Sequence, residues 1–378
     1  MQLAKRPKHV EIAEHLADAI AKGEYHGGDR LPSENELVER FSASRPTVAR
    51  AMRELQHAGL IERRVGSGTY VREAPGPAPA NKGRKLFGLL IPELGRTEIF
   101  EPICGQIARQ AQALGHALVW CDCGTDGEPG DPVIPNPQAC VARAQAASQH
   151  FIEQHVAGVF YAPVEYAGHD INLRILRELE TAGIPVVLLD RDVVPFPERS
   201  RYDLIGVDNP CGGFVATQHL LSQGRKRVCF FGRPGSAPTL ERRVAGHRDA
   251  LFRAGLPVSL DDLALGDPLD PKFVREFFDR RQPDAFVCGN DIIAASLMQT
   301  LFDLGIRVPK EVAVVGFDDV KYARLLAVPL TTMRQPCDEL GQVAVTTLLE
   351  RIASPQMPAR TVLLQTSLVV RKSCGAAL

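Results

Sequence analysis

The chain has 378 residues, a formal net charge of −1, 45% hydrophobic and 24% charged residues, which gives length for two or three domains and an ordinary globular composition. No run approaches ~18 uninterrupted apolar residues, which excludes a helical membrane span, and the chain is expected in the cytoplasm. Nine cysteines and ten histidines form no CxxC, HExxH or comparable cluster. Only Cys121 and Cys123 are close, and reduced side chains in an apolar strand suit them better than a metal site or disulfide, so neither metal nor cofactor is expected.

The opening MQLAKRPKHVEIAEHLADAI is amphipathic with polar residues throughout, so it is expected to be a first helix and not a signal peptide. Ser33 stands just before an apolar-periodic run, with Glu36 three residues on. That is capping-box spacing, and it predicts a helix from about Glu34 with Leu37, Val38 and Phe41 facing inward. The run breaks at Ser42-Ala43-Ser44. A second helix should follow, capped by Ser44, with Pro46 in the first turn where a missing N–H costs nothing. Val48, Met52 and Leu55 fall on its inner face, and Arg45, Thr47, Arg50 and Arg53 near its start or on its outer face. Gly59 stops it. Leu60 to Arg64 and Thr69 to Arg72 then alternate as two strands around Gly66-Ser67-Gly68, a tip whose backbone can approach a phosphate or a minor groove closely.

Between Ser44 and Arg72 six arginines (Arg45, Arg50, Arg53, Arg63, Arg64 and Arg72) face Glu54 and Glu62, a net of +4, so the basic footprint is confined to one module. A recognition helix enters the major groove N-terminus first, which puts Arg45, Thr47, Arg50 and Arg53 where bases and phosphates would be met. An amphipathic helix pair with solvated arginines is the alternative.

The segment resembles the winged helix-turn-helix of the GntR family of bacterial transcription regulators. The matching residues are Gly23, Tyr25, Gly28, the LPSE of Leu31 to Glu34, Glu36-Leu37, Phe41, Ser44-Arg45, Thr47-Val48, Arg50-Ala51, Leu55, Gly59-Leu60-Ile61 and Gly66-Ser67-Gly68-Thr69. The resemblance implies that Arg45 and Thr47 contact double-stranded operator DNA, with Lys8, Glu34, Ser44, Arg50 and the wing residues Gly66, Ser67 and Gly68 alongside. Asn35 and Ala49 stand where relatives carry arginine, so the reading leans on Arg50 and the wing.

Residues 73–83, EAPGPAPANKG, carry three prolines and no apolar periodicity, which marks a linker (73–85) after a first domain of residues 1–72. From Leu86 short apolar runs alternate with amphipathic stretches. The runs are 86–92, 116–123, 157–163, 185–192, 204–208, 227–232, 284–291, 312–319 and 361–370. Helical stretches include Ile103 to Leu114, Gly212 to Gln223, Glu241 to Ala254 and Ile292 to Leu304. Continuous apolar runs between helices mean parallel strands buried on both faces, and nine or more of them suggest two doubly wound α/β sheets.

Ligands of such sheets bind beyond the carboxyl ends of the strands. Asp190-Arg191, Asp208-Asn209, Asn290-Asp291 and Asp318-Asp319 lie at those ends. Each could be a helix cap, the preferred reading for Asp208-Asn209 and Asp318-Asp319. For Asp190-Arg191 and Asn290-Asp291, paired donors and acceptors suit a polyhydroxylated ligand.

This part resembles the LacI/GalR effector domain, a fold shared with periplasmic sugar-binding proteins. The likeness runs over about residues 86–374 on residues 100–116, PVVLLDRD, residues 207–228, RRVAGHRDAL, VCGNDIIAAS, RVPKEVAVVGFDDV and LTTMRQPCDELGQVA. It implies an effector domain of 86–378 with three crossovers, near Arg191, Pro329 and Pro358. Lobe one would be about 86–191 plus 332–357, and lobe two about 192–331 plus 358–374. By matching position, Phe100 would stack on a sugar ring or be plain core, and Arg191, Arg243, Asp291 and Gln335 would hydrogen-bond hydroxyls, with Asp190 and Asn290 as second choices. Thr97-Glu98-Ile99-Phe100 departs from the Asn-Pro-aromatic-aromatic run of relatives. A GntR-type reader fused to this domain is the arrangement of arabinose-responsive repressors of the AraR type.

The expected function is therefore a sequence-specific DNA-binding transcription regulator, a repressor acting as a homodimer, whose operator affinity a small sugar-like effector controls. The alternatives are a non-sugar effector such as a nucleoside or purine, or an α/β enzyme or sugar-binding module with an appended DNA-binding domain. No GxGxxG, GxxxxGK[ST] or GxSxG motif supports an enzyme.

Overall fold

The computed structural model describes residues 8–21, 24–26, 28–57, 61–64, 68–71, 83–91, 99–121, 137–164 and 169–376. The chain divides into two compact units, Met1–Gly83 and Arg84–Leu378. The proline-bearing segment expected as the linker lies outside the described residues up to 82.

In the first unit α1 (Lys8–Ala21), α2 (Glu34–Phe41) and α3 (Arg45–His57) precede the antiparallel pair β1 (Ile61–Arg64) and β2 (Gly68–Val71). Ile12, Leu16, Leu37, Val48, Met52 and Leu55 close a common core with Ile61 and Val71. The residues spaced for burial are thus those that are buried. Residues 28–31 run along the free side of β2, Gly28 donating to Val71 O and Leu31 to Thr69 O, so the strand pair has a third, short partner.

The second unit begins β3 (Leu86–Leu90), α4 (Phe100–Ala113), β4 (Ala117–Trp120), α5 (Pro137–Glu153), β5 (Gly158–Tyr161), α6 (His169–Thr181), β6 (Val186–Leu189) and β7 (Asp203–Val207). It continues α7 (Asn209–Ser222), β8 (Val228–Gly232), α8 (Pro238–Arg253), β9 (Leu263–Leu265), α9 (Pro271–Arg281), β10 (Ala285–Cys288), α10 (Asp291–Asp303) and β11 (Ala313–Asp318). It ends with β12 (Thr331–Arg334), α11 (Cys337–Ala353), β13 (Thr361–Leu364) and β14 (Ser367–Val369). Among the described residues two six-stranded sheets result, ordered β13-β7-β6-β5-β3-β4 and β14-β12-β11-β10-β8-β9. Every pairing is parallel except β12 with β14. Both sheets are covered by helices, which is why β5, β6 and β10 are buried along their whole length.

The crossovers differ from the expected ones. β7 remains in the first sheet, paired with β6 (Val187↔Asp203) and with β13 (Thr361↔Leu204), while β12 belongs to the second sheet. The chain therefore passes between lobes at Asp208, at Gln335-Pro336 and at Gln365-Thr366, and not near Arg191, Pro329 and Pro358. The run 361–370, expected as one strand, is two strands in two sheets. Apolarity marks a strand, but its sheet is decided by its hydrogen-bonding partner: β13 joins β7, more than a hundred positions back, while β14 joins the much nearer β12.

Helices α7 and α8 meet through glycines. A Cβ on Gly246 would stand 1.8 Å from Pro210 O, and one on Gly213 would stand 2.1 Å from Arg243 O, so the two backbones touch and fix α8 against the first crossover.

Candidate functional sites

The first site is the solvent face of α2, α3 and the turn between them. Ser33 Oγ accepts from Glu36 N at 3.3 Å while Glu36 Oε2 accepts from Ser33 N at 2.7 Å, completing the capping box. The backbone hydrogen bond from Ser33 holds the Glu36 carboxyl below the usual range. Ser42, at φ +46, ends α2 in the left-handed region and turns the chain into α3. The Lys8 ammonium donates to Ser42 O at 2.9 Å, so this expected DNA contact is also a tie across the turn. Ser44 Oγ and Thr47 Oγ1 are 2.7 Å apart at the start of α3, whose first turn holds no carboxylate. Its positive end is therefore open to phosphate. Ser44, Arg45 and Arg50 are exposed and Thr47 is half-buried, opposite the fully buried Val48 and Met52. The side chains of Glu34 and Arg53, and Gly66 and Ser67, lie outside the described residues, while Gly68 pairs with Arg64 at the head of β2.

The second site lies where the strands of the two sheets end. Asp190 follows β6 at φ +69 and pairs with Arg191, Oδ2 to Nε at 3.4 Å. Arg191 is buried and its guanidinium lies 6.0 Å from the Phe100 ring, which is itself part of the core. Arg243, also buried, donates from Nε to Asn209 Oδ1 at 2.8 Å and from Nη1 to Gly289 O at 2.5 Å. Its guanidinium lies over Phe317, with Cζ 3.6 Å from the ring centre. Burial pulls the Arg243 pKa down, and the Asp318 and Asp190 carboxylates oppose the shift.

Asn290, a second choice for the ligand, takes the cap alternative with its oxygen: Oδ1 accepts from Ile293 N at 2.9 Å and caps α10. Asp291 is fully buried, Oδ1 accepting from Thr332 Oγ1 at 2.6 Å and Oδ2 from Val320 N at 3.0 Å, so its carboxylate ties together the ends of β11 and β12. Burial, then the Asp318 charge, pushes its pKa well above the carboxylate range. Asp208 does cap α7, accepting from Cys211 N at 3.0 Å.

Asp318 and Asp319, expected as caps, are not. The short turn after them starts at Val320 with no side-chain cap. Asp318, at φ +119, accepts from Gln335 Nε2 at 2.7 Å, and Asp319 accepts from Arg334 Nε and Arg371 Nη2, both at 2.6 Å. Two successive left-handed aspartates at a strand end are strained backbone held in place by these partners.

A cavity of about 550 Å³ opens at this point. It is walled by the start of α4 (Ile99, Glu101, Pro102), by Asp318 to Lys321, by the second crossover from Arg334 to Glu339, and by Gln365 and Ser367 of the third. Of the expected ligand residues, Gln335 lines it directly. Asp190 and Arg191 border a smaller hollow of about 60 Å³ with Phe196 and Arg242. Lys321 reaches Glu101 of the other lobe at 3.5 Å, and Arg242 covers the Phe196 ring at 4.3 Å. Glu101, Asp318, Lys321 and Glu339 were missed in the sequence. The signal for Asp318 was its strand-end position, read as a cap.

Residues 8–71 match the bacterial regulatory proteins of the gntR family, and residues 217–374 match the periplasmic binding protein-like domain. The chain is 27% identical to the arabinose metabolism transcriptional repressor of Geobacillus stearothermophilus, over 92% of this chain and 91% of that protein. It is 31% identical to the ribose operon repressor of Escherichia coli (strain K12), over 64% of this chain and 72% of that protein. The structure of the transcriptional regulator CelR in complex with cellobiose shares its fold, with a TM-score of 0.63 and 24% identity over 88% of this chain and 91% of that one. With a helix-turn-helix open on its α3 face and two parallel sheets joined by three crossovers, the chain belongs to the bacterial transcription regulators that join a GntR-type DNA-binding domain to a LacI-like, periplasmic-binding-protein-like domain.

Proposed function

We propose that the protein is a sequence-specific DNA-binding repressor, not an enzyme, whose operator affinity is set by a small sugar-like effector held between the two lobes. The observation that carries this is the face of α3: Ser44, Arg45 and Arg50 turn to solvent around a carboxylate-free helix start, on a chain whose second unit offers a polar cavity between its lobes. Two of the relatives named above are an arabinose metabolism transcriptional repressor and a ribose operon repressor, which supports repression and a sugar ligand. Among the described residues lining the cavity none is aromatic, which favours a polyol over a nucleobase that would seek a stacking face. One winged helix reads a half-site, so the working form is a homodimer in the cytoplasm, on double-stranded operator DNA. The effector shifts operator affinity only by its differential affinity for the two lobe arrangements.

The test is a mobility-shift titration of the full chain on the duplex upstream of its own coding sequence. Affinity should fall by orders of magnitude between ~50 and ~200 mM salt, and arabinose or ribose should change it at fixed salt. Failure to bind any upstream fragment at low salt would remove the regulator reading.

A further inference from the structure

Residues four apart on a helix lie one above the other, so Arg45 and Ala49 share one strip along α3. Val48, Ala51, Met52 and Leu55 fill the inner side of the helix, each no more than 3% exposed. Ala49 is only half-buried and, among the described residues, joins neither that core nor the partly buried side chains packed on it. The core therefore does not account for its methyl group.

A guanidinium on this strip could reach a phosphate, or the O6 and N7 atoms of a guanine. A methyl group does neither. What complements it in the major groove is the C5-methyl of thymine, which stands out from the base edge and is absent from cytosine. A side chain of one carbon also lets the helix lie close to the bases, so that Cβ itself makes the contact. Helix geometry limits where that thymine lies. Four residues rise about 6 Å and stacked base pairs are about 3.4 Å apart, so with α3 entering N-terminus first Ala49 faces a pair at most about two steps from the one that Arg45 faces.

Thr47 carries the other methyl at this end of α3. It lies roughly 200° round the helix from Ala49, away from the strip, and its Oγ1 is 2.7 Å from Ser44 Oγ. We propose that Ala49 reads the C5-methyl of a thymine, so that each operator half-site carries an A·T pair, thymine towards α3, within about two base pairs of the pair faced by Arg45. This rests on the operator-binding reading above.

The experiment is selection of random duplexes by the full chain at ~50 mM salt, with the Arg45 pair located as the position where Arg45→Ala relaxes the selection. Mobility shifts then compare thymine, uracil, cytosine and 5-methylcytosine at the neighbouring thymine. Uracil keeps the A·T pair and removes only the methyl, and should weaken binding about fourfold, the worth of one buried methyl. Cytosine should cost at least as much, and 5-methylcytosine, which restores the methyl, less than cytosine. Ala49→Gly should bring the thymine-to-uracil ratio to about one. Ala49→Arg keeps a strong helix former, and should remove the same sensitivity while turning the preference at that pair to G·C. A half-site with no thymine at this spacing, a uracil analogue that binds equally, or a sensitivity that both variants keep and Thr47→Ser loses overturns the readout and leaves DNA binding standing. If no common sequence is selected, the sequence-specific regulator reading itself falls and the readout falls with it.

Discussion

The guanidinium of Arg243 rests with Cζ 3.6 Å from the centre of the Phe317 ring, and Gly212 approaches the same ring so closely that a Cβ there would stand 2.6 Å from Phe317 Cε2. Gly212 of α7, the Phe317 ring and Arg243 of α8 thus pack together beside the first crossover. Removing the arginine leaves Asn209 Oδ1 and Gly289 O without their donor, each a buried acceptor worth about 1–3 kcal/mol when orphaned. Arg243→Ala is therefore expected to lower the stability of the second unit by roughly 2–4 kcal/mol as well as to abolish sugar binding. Denaturant unfolding followed beside ligand titration checks this. A variant that loses sugar binding at unchanged stability would make Arg243 a ligand contact and not a strut.

Arg45 makes the opposite division. It is exposed at the start of α3, away from the core built by Val48, Met52 and Leu55. Arg45→Ala should cost operator affinity by about 1–3 kcal/mol and, where the side chain meets a phosphate, should reduce the log–log salt slope by about one. Sugar-induced stabilisation of the second unit should be unchanged. Mobility shifts at several salt concentrations, with thermal shifts in parallel, read both. Joint loss of the two activities in a folded protein would contradict the division into two units.

How far these roles could be read in advance depended on how local their causes are. The capping box of Ser33 and Glu36, the break at Ser42 and the inward spacing of Val48 and Met52 act within a few residues, and each stands where the sequence puts it. The two sheets were also legible, since strands buried on both faces read as unbroken apolar runs. The crossovers were not. β7 and β13 pair across more than a hundred residues of chain, and nothing in LIGVD says which sheet it joins. Non-local pairing also explains Asp319, whose partner Arg371 lies 52 residues on, whereas the cap made by Asn290 is local, closing on Ile293 three residues later.

His247 gives the second unit a pH signature. It is almost fully buried between α7 and Phe230, with Nδ1 at 2.9 Å from Thr217 Oγ1, whose own proton goes to Gly213 O. Nδ1 is therefore the protonated nitrogen, and Nε2 has no hydrogen-bond partner among the described residues. Burial, with Arg248 nearby, pushes the pKa down to about 3 from 6.5. The unfolded chain then binds a proton that the folded chain refuses. Stability should fall as pH drops below about 6.5, by at most about 1.4 kcal/mol per unit, and level off near about 3, where the folded form also protonates. His247→Gln should flatten that part of the curve relative to the native chain. Unfolding free energies at pH 7, 6 and 5 would show it, and parallel curves for the two proteins would remove His247 as the source.

The bridge from Lys321 to Glu101 spans the cavity mouth from one lobe to the other. Lys321 is 87% exposed and Glu101 49%, so water and salt screen the pair, and its worth is at most about 1 kcal/mol. That is still enough to bias a lobe equilibrium, since a ligand's apparent affinity is reduced by the fraction of protein not in the competent arrangement. Lys321→Met and Glu101→Gln are each expected to weaken sugar binding by a few-fold, about 0.5–1 kcal/mol, and the double variant by no more than either alone. At ~1 M salt, where screening reaches ~3 Å, native and variant affinities should converge. Titration calorimetry on the four proteins at low and high salt supplies the cycle. Additive losses would mean that the two side chains touch the ligand separately instead of holding the lobes to each other.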